Sequence, residues 1–362
     1  MGFFRNYFAT SNESIEFKEL AEYDRHYKII ELNDLQSGLK GFIAIHRKRK
    51  NAPSFGATRL WHYESSIDGA RDALRLSRLM SRKAIMAGLP CGGAKGVILA
   101  PTILTSEKRK QLLSAYAAEV NKLAGEFITG TDAGLFQEDI EYMRTLSSFF
   151  VGFNGNVTTS TALGVYMGIE TCFEFLDGES SINGKTFAIQ GLGKIGQGLL
   201  ELIYEKAGTI FVTDAHTTLL EEVRAKFPQV IIVESSEIHK QKVDVFMPCA
   251  LHHAINRRTV NELQCRMIIG GANNQLEDAT IGDLLLERNI LYAPDYVVNA
   301  GGLISVYDEF EHPGAYDQKR VDAKIYRIKE TLISILQKSK ENNMATNKIA
   351  DSIAKEWLLK DD

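Results

Sequence analysis

The sequence predicts a two-domain α/β protein in which a domain with a mixed sheet precedes a Rossmann dinucleotide-binding domain. The 362 residues exceed what a single hydrophobic core usually organises. From Lys185 onward, strands and helices alternate with short loops, which is typical of a parallel sheet. A β-hairpin pattern near the start adds antiparallel strands. We therefore expect a first domain over about residues 1–150 and a second over 151–320.

The first domain is predicted to begin with a hairpin and to continue with alternating helices and strands. The hairpin turn is Ser37-Gly38, and Gly88 is a natural stop for the long helix. One stripe of that helix carries Ile67, Ala70, Leu74, Ser77 and Met80. The predicted elements are strands Tyr27–Leu32 and Leu39–His46, helix Glu64–Gly88, strand Gly96–Leu99, helix Ser106–Leu123 and strand Glu126–Gly130.

The second domain is predicted from a change of pattern near residue 150. The polar run Thr158-Thr159-Ser160-Thr161 can cap a helix that reaches about Leu176. Several of the strands that follow are nearly all apolar, as expected of parallel strands buried on both faces. After about Gln318, two long helices close the chain. The predicted strands are Phe187–Gln190, Ile210–Thr213, Val230–Val233, Val243–Phe246, Met267–Ile269 and Ile290–Tyr292.

Composition excludes several classes of partner. The net charge of −4 argues against nucleic acid or an anionic membrane as the main partner. No apolar run approaches the length of a membrane span, and the N-terminal residues lack the pattern of a signal peptide. The four cysteines lie far apart with no C-x-x-C pair, which favours a reduced cytoplasmic protein over a disulfide framework or a zinc site.

A glycine motif predicts the cofactor site. Strand Phe187–Gln190 leads into Gly191-Leu192-Gly193-Lys194-Ile195-Gly196 and then into a helix, the context that a dinucleotide-binding G-x-G-x-x-G requires. Gly191 makes the turn, Gly193 lets the backbone approach a pyrophosphate, and Gly196 allows close packing of helix on strand. Asp214 ends the next strand, where a carboxylate accepts hydrogen bonds from ribose hydroxyls and repels a 2′-phosphate. We therefore expect NAD.

A second glycine-rich segment, Gly88–Gly96, contains Lys95, and Lys83 precedes it near the end of the long helix. Two lysines brought together lower one another's pKa, and burial adds to the effect. One could then bind a carboxylate while the other serves as a base near neutral pH. On residue type alone, the alternative that both lysines lie on the surface stays open.

Ordered segments along nearly the whole chain resemble the glutamate/leucine/phenylalanine/valine dehydrogenase family, and leucine dehydrogenases most. Beyond the Gly191 loop, the segments that carry the resemblance are Pro53–Arg59, Leu76–Lys83, Leu89–Lys95, Thr129–Gly134, Pro248–Leu251, Gly271–Leu276 and Ala293–Gly302. The resemblance implies oxidative deamination of an L-amino acid with NAD. It also implies a homo-oligomer, from dimer to octamer, built through the first domain and the C-terminal helices of about residues 320–362, which return to that domain.

The resemblance further implies a role for each matching residue. Lys83 would bind the substrate α-carboxylate, Lys95 would activate water, and Asp132 would shuttle protons to and from the amino group. The other implied contacts are substrate contacts at Gly56 and Asn299 and cofactor contacts at Thr161, Lys194, Ile195, Ala250 and Asn273. The adjacent pair His252-His253 departs from the family pattern but lacks metal-ligand spacing, so no metal is expected.

The family positions around the substrate side chain are Phe55, Gly130, Leu303 and Val306. All are uncharged, so the γ-carboxylate of glutamate would have no partner in a dry pocket. Phe55 is bulkier than the leucine common at that position and is expected to shorten the pocket, which favours leucine, valine or isoleucine. An aromatic amino acid is the alternative substrate. A non-catalytic NAD-binding protein is the alternative of another class, but it should lack one of Lys83, Lys95 or Asp132.

Overall fold

The structure is a computed structural model that describes residues 15–153, 155–250 and 253–360. Leu251 and His252 lie outside these ranges, as do residues 1–14, on which the expectation about a signal peptide rests. Within the described ranges, no helix is both long enough and apolar enough to cross a bilayer.

The first sheet is mixed, as predicted. Its strands are β1 (Lys28–Asp34), β2 (Leu39–Arg47), β3 (Ser54–Phe55), β4 (Thr58–Trp61), β5 (Gly92–Leu99) and β6 (Phe127–Ile128). The β1–β2 hairpin and the β2–β5 pair are antiparallel, whereas β3, β4 and β6 run parallel to their neighbours. Strand β5 begins four residues earlier than predicted because β3 pairs with Gly92 and Gly93. Lys95 therefore lies within the centre of the sheet.

Helices α1 (Ser66–Met86), α2 (Ser106–Lys122) and α3 (Gln137–Leu146) accompany this sheet. The side chain of Ser65 caps α1 by accepting a hydrogen bond from Asp68 N, and Gly88 follows its end with φ +65°. Ala70, Leu74 and Ser77 are buried as predicted, but Ile67 is exposed. Ile67 lies in the first turn of α1, before the helix reaches the sheet. Helix α3 was not predicted.

The second sheet has the order β12-β11-β10-β7-β8-β9 and is parallel throughout, which confirms the Rossmann prediction. Its strands are β7 (Thr186–Gln190), β8 (Thr209–Thr213), β9 (Ile231–Ile232), β10 (Val245–Pro248), β11 (Met267–Ile268) and β12 (Leu291–Tyr292). The expectation of burial on both faces is wrong for β9. It lies at the edge of the sheet, and both of its isoleucines are exposed.

The helices of the second half are α4 (Val157–Asp177), α5 (Lys194–Ile203), α6 (Thr217–Lys226), α7 (Thr259–Glu262), α8 (Ile281–Glu287), α9 (Asp295–Val298) and α10 (Gly301–Glu311). Helix α4 is capped by Asn156, whose side chain accepts from Thr159 N, and not by the polar run itself. That run forms the first turn of the helix, so Thr161 faces inward.

In the described part of the chain, three helices rather than two follow Gln318: α11 (Gln318–Ile325), α12 (Arg327–Asn342) and α13 (Thr346–Lys360). Helix α13 contacts α1 in the first half, where Arg82 Nη1 lies 2.7 Å from Asp351 Oδ1. The last helix therefore returns to the first domain as expected, whereas α12 packs mainly on α4, and α11 packs on α10 and α4. One hydrophobic core cluster joins Phe55 and Met86 to the second sheet, so the boundary near residue 150 stays a prediction.

Candidate active site

A cleft of about 920 Å³ lies between the first sheet and the carboxyl ends of the second. Most of the residues assigned a role from the sequence meet there, although they come from α1, β5, α4, α5, α10 and several loops. Those that line the cleft are Gly56, Lys83, Lys95, Gly130, Asp132, Thr161, Lys194, Ile195, Asn273, Asn299, Leu303 and Val306. The cleft is therefore the candidate active site.

Phe55 is not among the lining residues, which corrects the expectation that it forms a wall of the pocket. Its side chain is 1% exposed, and its ring centre lies 5.3 Å from those of both Tyr307 and Phe310. Strand β3 lies between β5 and β6, and its phenylalanine points to the face that α10 covers. Phe55 supports α10, which carries Leu303 and Val306, from behind.

Lys95 and Asp132 form a short ion pair on the floor of the cleft, with Lys95 Nζ on Asp132 Oδ2. Lys95 projects from β5 and is buried, whereas Asp132 lies on the loop after β6. Burial raises the pKa of Asp132, but Lys95 and Arg59 outweigh this and hold it well below its usual range. The resting site therefore contains an ionised carboxylate in direct contact with the amino group of Lys95. A proton can pass between them.

Lys83 lies near the C-terminal end of α1, and its Nζ donates to Asn273 Oδ1 at 3.1 Å. The pKa of Lys83 is lowered to about 8: burial is the main cause and Lys95 adds to it, while Asp295 and Asp132 act in the opposite sense. Asp295 is itself buried and accepts from Gln275 N at 2.9 Å. Lys83 is thus a buried cation at the cleft wall that an incoming carboxylate can pair with.

Asn299 lies beside this cation and is almost fully buried. Its Nδ2 donates to Asn273 Oδ1 at 3.0 Å and lies 3.3 Å from Gly271 O. Within the described ranges, Asn299 Oδ1 has no hydrogen-bond partner, although a buried amide oxygen usually has one. This oxygen is available to accept a hydrogen bond from a substrate amino group.

The Gly191 loop has the geometry that a pyrophosphate requires. Gly191 has φ +99°, and a Cβ there would lie 2.4 Å from Ala250 Cβ. At Gly196 a Cβ would lie 2.0 Å from Gly191 O, whereas Gly193 faces open space at the N-terminus of α5. These three positions match the roles predicted for turn, packing and close approach. Lys194 and Ile195 lie in the first turn of α5, directly after the loop, and line the cleft.

Three further cofactor positions surround this loop. Asp214 Oδ2 accepts from Leu192 N at 2.7 Å, so the carboxylate is fixed at the end of β8 beside the loop. Ala250 lines a second cavity, of about 460 Å³, together with Asn273. Thr161 Oγ1 donates to Val157 O at 2.7 Å, which turns the α4 threonine toward the cleft. The loop, the helix N-terminus and the adjacent carboxylate fit NAD.

Asp214→Ala is expected to relax the choice of cofactor. Removing the carboxylate removes its repulsion of a 2′-phosphate, so kcat/KM with NADP relative to NAD should rise about 10-fold or more. Steady-state kinetics with both dinucleotides checks this. Asp244→Ala is the control, because Asp244 lies before β10 at the opposite end of the sheet. If both variants keep the wild-type ratio of kcat/KM with NADP to kcat/KM with NAD, Asp214 does not select the cofactor through its ribose.

Sequence reasoning missed Arg59 and Asp295 as parts of the site. Arg59 lines the cleft, and its Nε donates to Asp132 Oδ2 at 3.2 Å. Both residues belong to segments that carry the family resemblance, but the resemblance assigned neither of them a function. The signal would have been that a buried lysine and a buried carboxylate each need an opposite charge nearby. Among the described residues, no group of three His, Cys, Asp or Glu side chains could hold a metal ion.

Sequence comparisons match both halves of the chain to one family. Residues 216–358 match the sequence model described as Glutamate/Leucine/Phenylalanine/Valine dehydrogenase, and residues 26–148 match that of the Glu/Leu/Phe/Val dehydrogenase dimerisation domain. The chain is 36% identical to the phenylalanine dehydrogenase of Thermoactinomyces intermedius, and the match covers 94% of both chains. Identity to the leucine dehydrogenase of Bacillus cereus is 34%, over 94% of this chain and 93% of the relative.

The fold also matches solved structures. The L-tryptophan dehydrogenase from Nostoc punctiforme superposes with a TM-score of 0.79 at 35% identity, covering 93% of this chain and 96% of that one. A hetero-hexameric glutamate dehydrogenase from Thermus thermophilus superposes with a TM-score of 0.75 at 19% identity, covering 93% and 89%, and shows likeness of fold.

Proposed function

The chain belongs to the glutamate/leucine/phenylalanine/valine dehydrogenase family of amino-acid dehydrogenases, and on that premise we propose that it oxidatively deaminates an apolar L-amino acid with NAD. The products are the 2-oxo acid, ammonia and NADH. The observation that carries the proposal is the meeting of Lys83, Lys95, Asp132 and Asn299 in one cleft beside the uncharged surface of Leu303 and Val306.

Each polar group has a place in this chemistry. Lys83 pairs with the substrate α-carboxylate, and Asn299 Oδ1 accepts from the α-amino group. Bound NAD would supply the oxidation at Cα that turns the substrate into an iminium ion. Lys95, as the neutral amine, removes a proton from the water that attacks this carbon and passes it to Asp132, which delivers it to the departing nitrogen. Lys95 then takes the remaining hydroxyl proton as ammonia leaves. The cleft between the two sheets excludes bulk water meanwhile.

The side-chain end of the cleft favours an apolar substrate. Leu303 and Val306 line it from α10, Val151 lines it from the segment between α3 and α4, and Gly130 adds no side chain. Apolar surface buried there stabilises the complex by about 25 cal/mol per Å². Among the described residues, four cations line the cleft. Arg59 pairs with carboxylates, Lys83 and Lys95 serve the reacting end of the substrate, and Lys194 lies at the dinucleotide loop. A second carboxylate on the substrate would therefore have to compete for one of these cations.

Two classes of apolar substrate fit this surface, and we propose leucine, valine and isoleucine first. Leu303, Val306 and Val151 present branched aliphatic groups to the cleft. The argument from a pocket shortened by Phe55 is not retained, because that ring lies behind α10. Phenylalanine or tryptophan is the second candidate. It is favoured by the space at Gly130 and Gly152 and by the similarity to phenylalanine and L-tryptophan dehydrogenases.

A panel of leucine, valine, phenylalanine, tryptophan and glutamate, compared by kcat/KM for NADH formation, tests this proposal. We expect leucine to be used best and glutamate worst. Val306→Ala should raise the ratio of phenylalanine to leucine about 10-fold, because one or two methyl groups are worth about 1–3 kcal/mol of discrimination. The control Ile304→Val removes a methyl from the buried side of the same helix and should leave the ratio unchanged. Phenylalanine or tryptophan exceeding leucine tenfold in the wild type would contradict the aliphatic proposal.

We further propose that the enzyme is a cytoplasmic homo-oligomer. The free thiols of Cys91, Cys172 and Cys265 are buried, as suits a reducing compartment. The stripe Ile325, Ile328, Leu332 and Leu336 is buried within the chain and is therefore core, not contact surface. Light scattering at micromolar concentration should give a multiple of the chain mass of 40.4 kDa. A monomer would overturn this part of the proposal.

A further inference from the structure

Arg59, which has no role in the proposed chemistry so far, bridges two carboxylates beside the reacting groups. It projects from β4, parallel to the strand that carries Lys95. Its Nε donates to Asp132 Oδ2 at 3.2 Å, and its Nη1 donates to Asp72 Oδ2 at 2.8 Å. The oxygen of Asp132 that it contacts is the one that Lys95 also contacts.

The far end of Arg59 is held by a second set of contacts, which centre on Asp72 of α1. Tyr63 Oη donates to Asp72 Oδ2 at 2.7 Å, and Arg75 Nη2 donates to Asp72 Oδ1 at 2.5 Å. The side chain of Asp72 is only 12% exposed. Both oxygens of Asp72 are therefore occupied, so it fixes the direction in which the guanidinium of Arg59 points.

We propose that Arg59, anchored by Asp72, is a positioning residue that fixes the carboxylate of Asp132 for proton transfer. This inference rests on the proposed role of Asp132 as the proton shuttle. An arginine suits the task because its planar fork can bridge two carboxylates in one geometry, whereas a lysine offers a single charged nitrogen.

The charges around Asp132 decide what the loss of Arg59 changes. Lys95 on β5, Arg59 on β4 and Lys83 on α1 face it, with Asp295 beside Lys83 and with Asp72 and Tyr63 behind Arg59. Burial raises the pKa of Asp132, but Lys95 and then Arg59 lower it well below its usual range. Because Lys95 stays in place, Asp132 remains ionised without Arg59. The loss of Arg59 should therefore change the placement of the carboxylate and act on kcat.

Arg59→Met tests the proposal directly. At the pH optimum, kcat should fall about 10- to 100-fold, the loss of one charge-assisted hydrogen bond, while KM for the amino acid changes little. Arg59→Lys should restore only part of kcat, because the charge is kept and the bridge is lost. Asp72→Asn should lower kcat several-fold, again with KM near the wild-type value.

Arg266→Met is the matched control. Arg266 also bridges two carboxylates, Asp177 and Asp244, but lies at the amino ends of the second sheet. It should leave both kcat and KM at wild-type values. A wild-type kcat in Arg59→Met and Asp72→Asn would overturn the proposal, and so would a loss that falls on KM instead of kcat, or full recovery of kcat by Arg59→Lys. Asp132→Asn separates this failure from that of the proposed function: if it stays active, Asp132 is not the proton shuttle at all.

Discussion

Lys95→Ala is expected to lower kcat by about 100- to 10 000-fold, the range for loss of a positioned acid–base group, while NADH binds with nearly the wild-type Kd. Lys95 lies on β5 of the first sheet, whereas the dinucleotide loop follows β7 of the second. The substitution therefore removes the base without touching the residues that hold NAD. Single-turnover kinetics and NADH fluorescence titration measure the two effects separately.

Lys185→Ala is the control for the loss of a paired lysine. Lys185 Nζ lies 2.9 Å from Asp177 Oδ2, in the second half of the chain and away from the cleft. It should leave kcat unchanged. If Lys95→Ala weakens NADH binding as much as it weakens turnover, Lys95 holds the structure of the cleft together and is not the base.

Lys83→Met is expected to act mainly on KM for the amino acid, which should rise about 10- to 100-fold, the value of a hydrogen bond to a charged group. An ion pair with the α-carboxylate exists in both the ground state and the transition state, so its loss changes kcat less. Methionine keeps the length of the side chain and limits collapse of the buried site. Initial rates over a range of leucine concentrations give both constants.

The lowered pKa of Lys83 adds a pH dependence to this prediction. Below pH about 8 the free enzyme holds Lys83 as a cation; above it the cation is lost. The wild-type KM should therefore rise with pH above this value, by up to about 10-fold per unit. Lys83→Met should lack this rise. A change in kcat alone, with KM flat across the pH range, would contradict the assignment of Lys83 to the carboxylate.

The sequence predicted those parts of the site that are local in the chain. The Gly191 loop is one strand, one turn and one helix N-terminus, so its geometry follows from neighbouring residues. At the C-terminal end, Asn343 ends α12 with φ +49°, a conformation that Asn tolerates, and separates the two long helices that were expected. The third helix arises from a break at Tyr326, between α11 and α12, which no residue type in the sequence indicated.

Contacts between distant segments could not be predicted in the same way. Arg59 contacts Asp132 over 73 positions and Asp72 over 13, and no periodic pattern reports such a pair. Phe55 shows the opposite error. A family position implied a pocket wall, but the direction of the side chain depends on how β3 pairs and on what α10 covers. Position in a motif indicates proximity to a site, while packing decides which group faces it.

The most direct test of the proposed function is the stoichiometry of the reaction with L-leucine and NAD. Oxidative deamination at the Lys95–Asp132 pair predicts NADH, ammonia and 2-oxo acid in equal molar amounts, with all three lost together in Lys95→Ala. NADH formed without ammonia, or no NADH with any apolar L-amino acid, would contradict the proposed function.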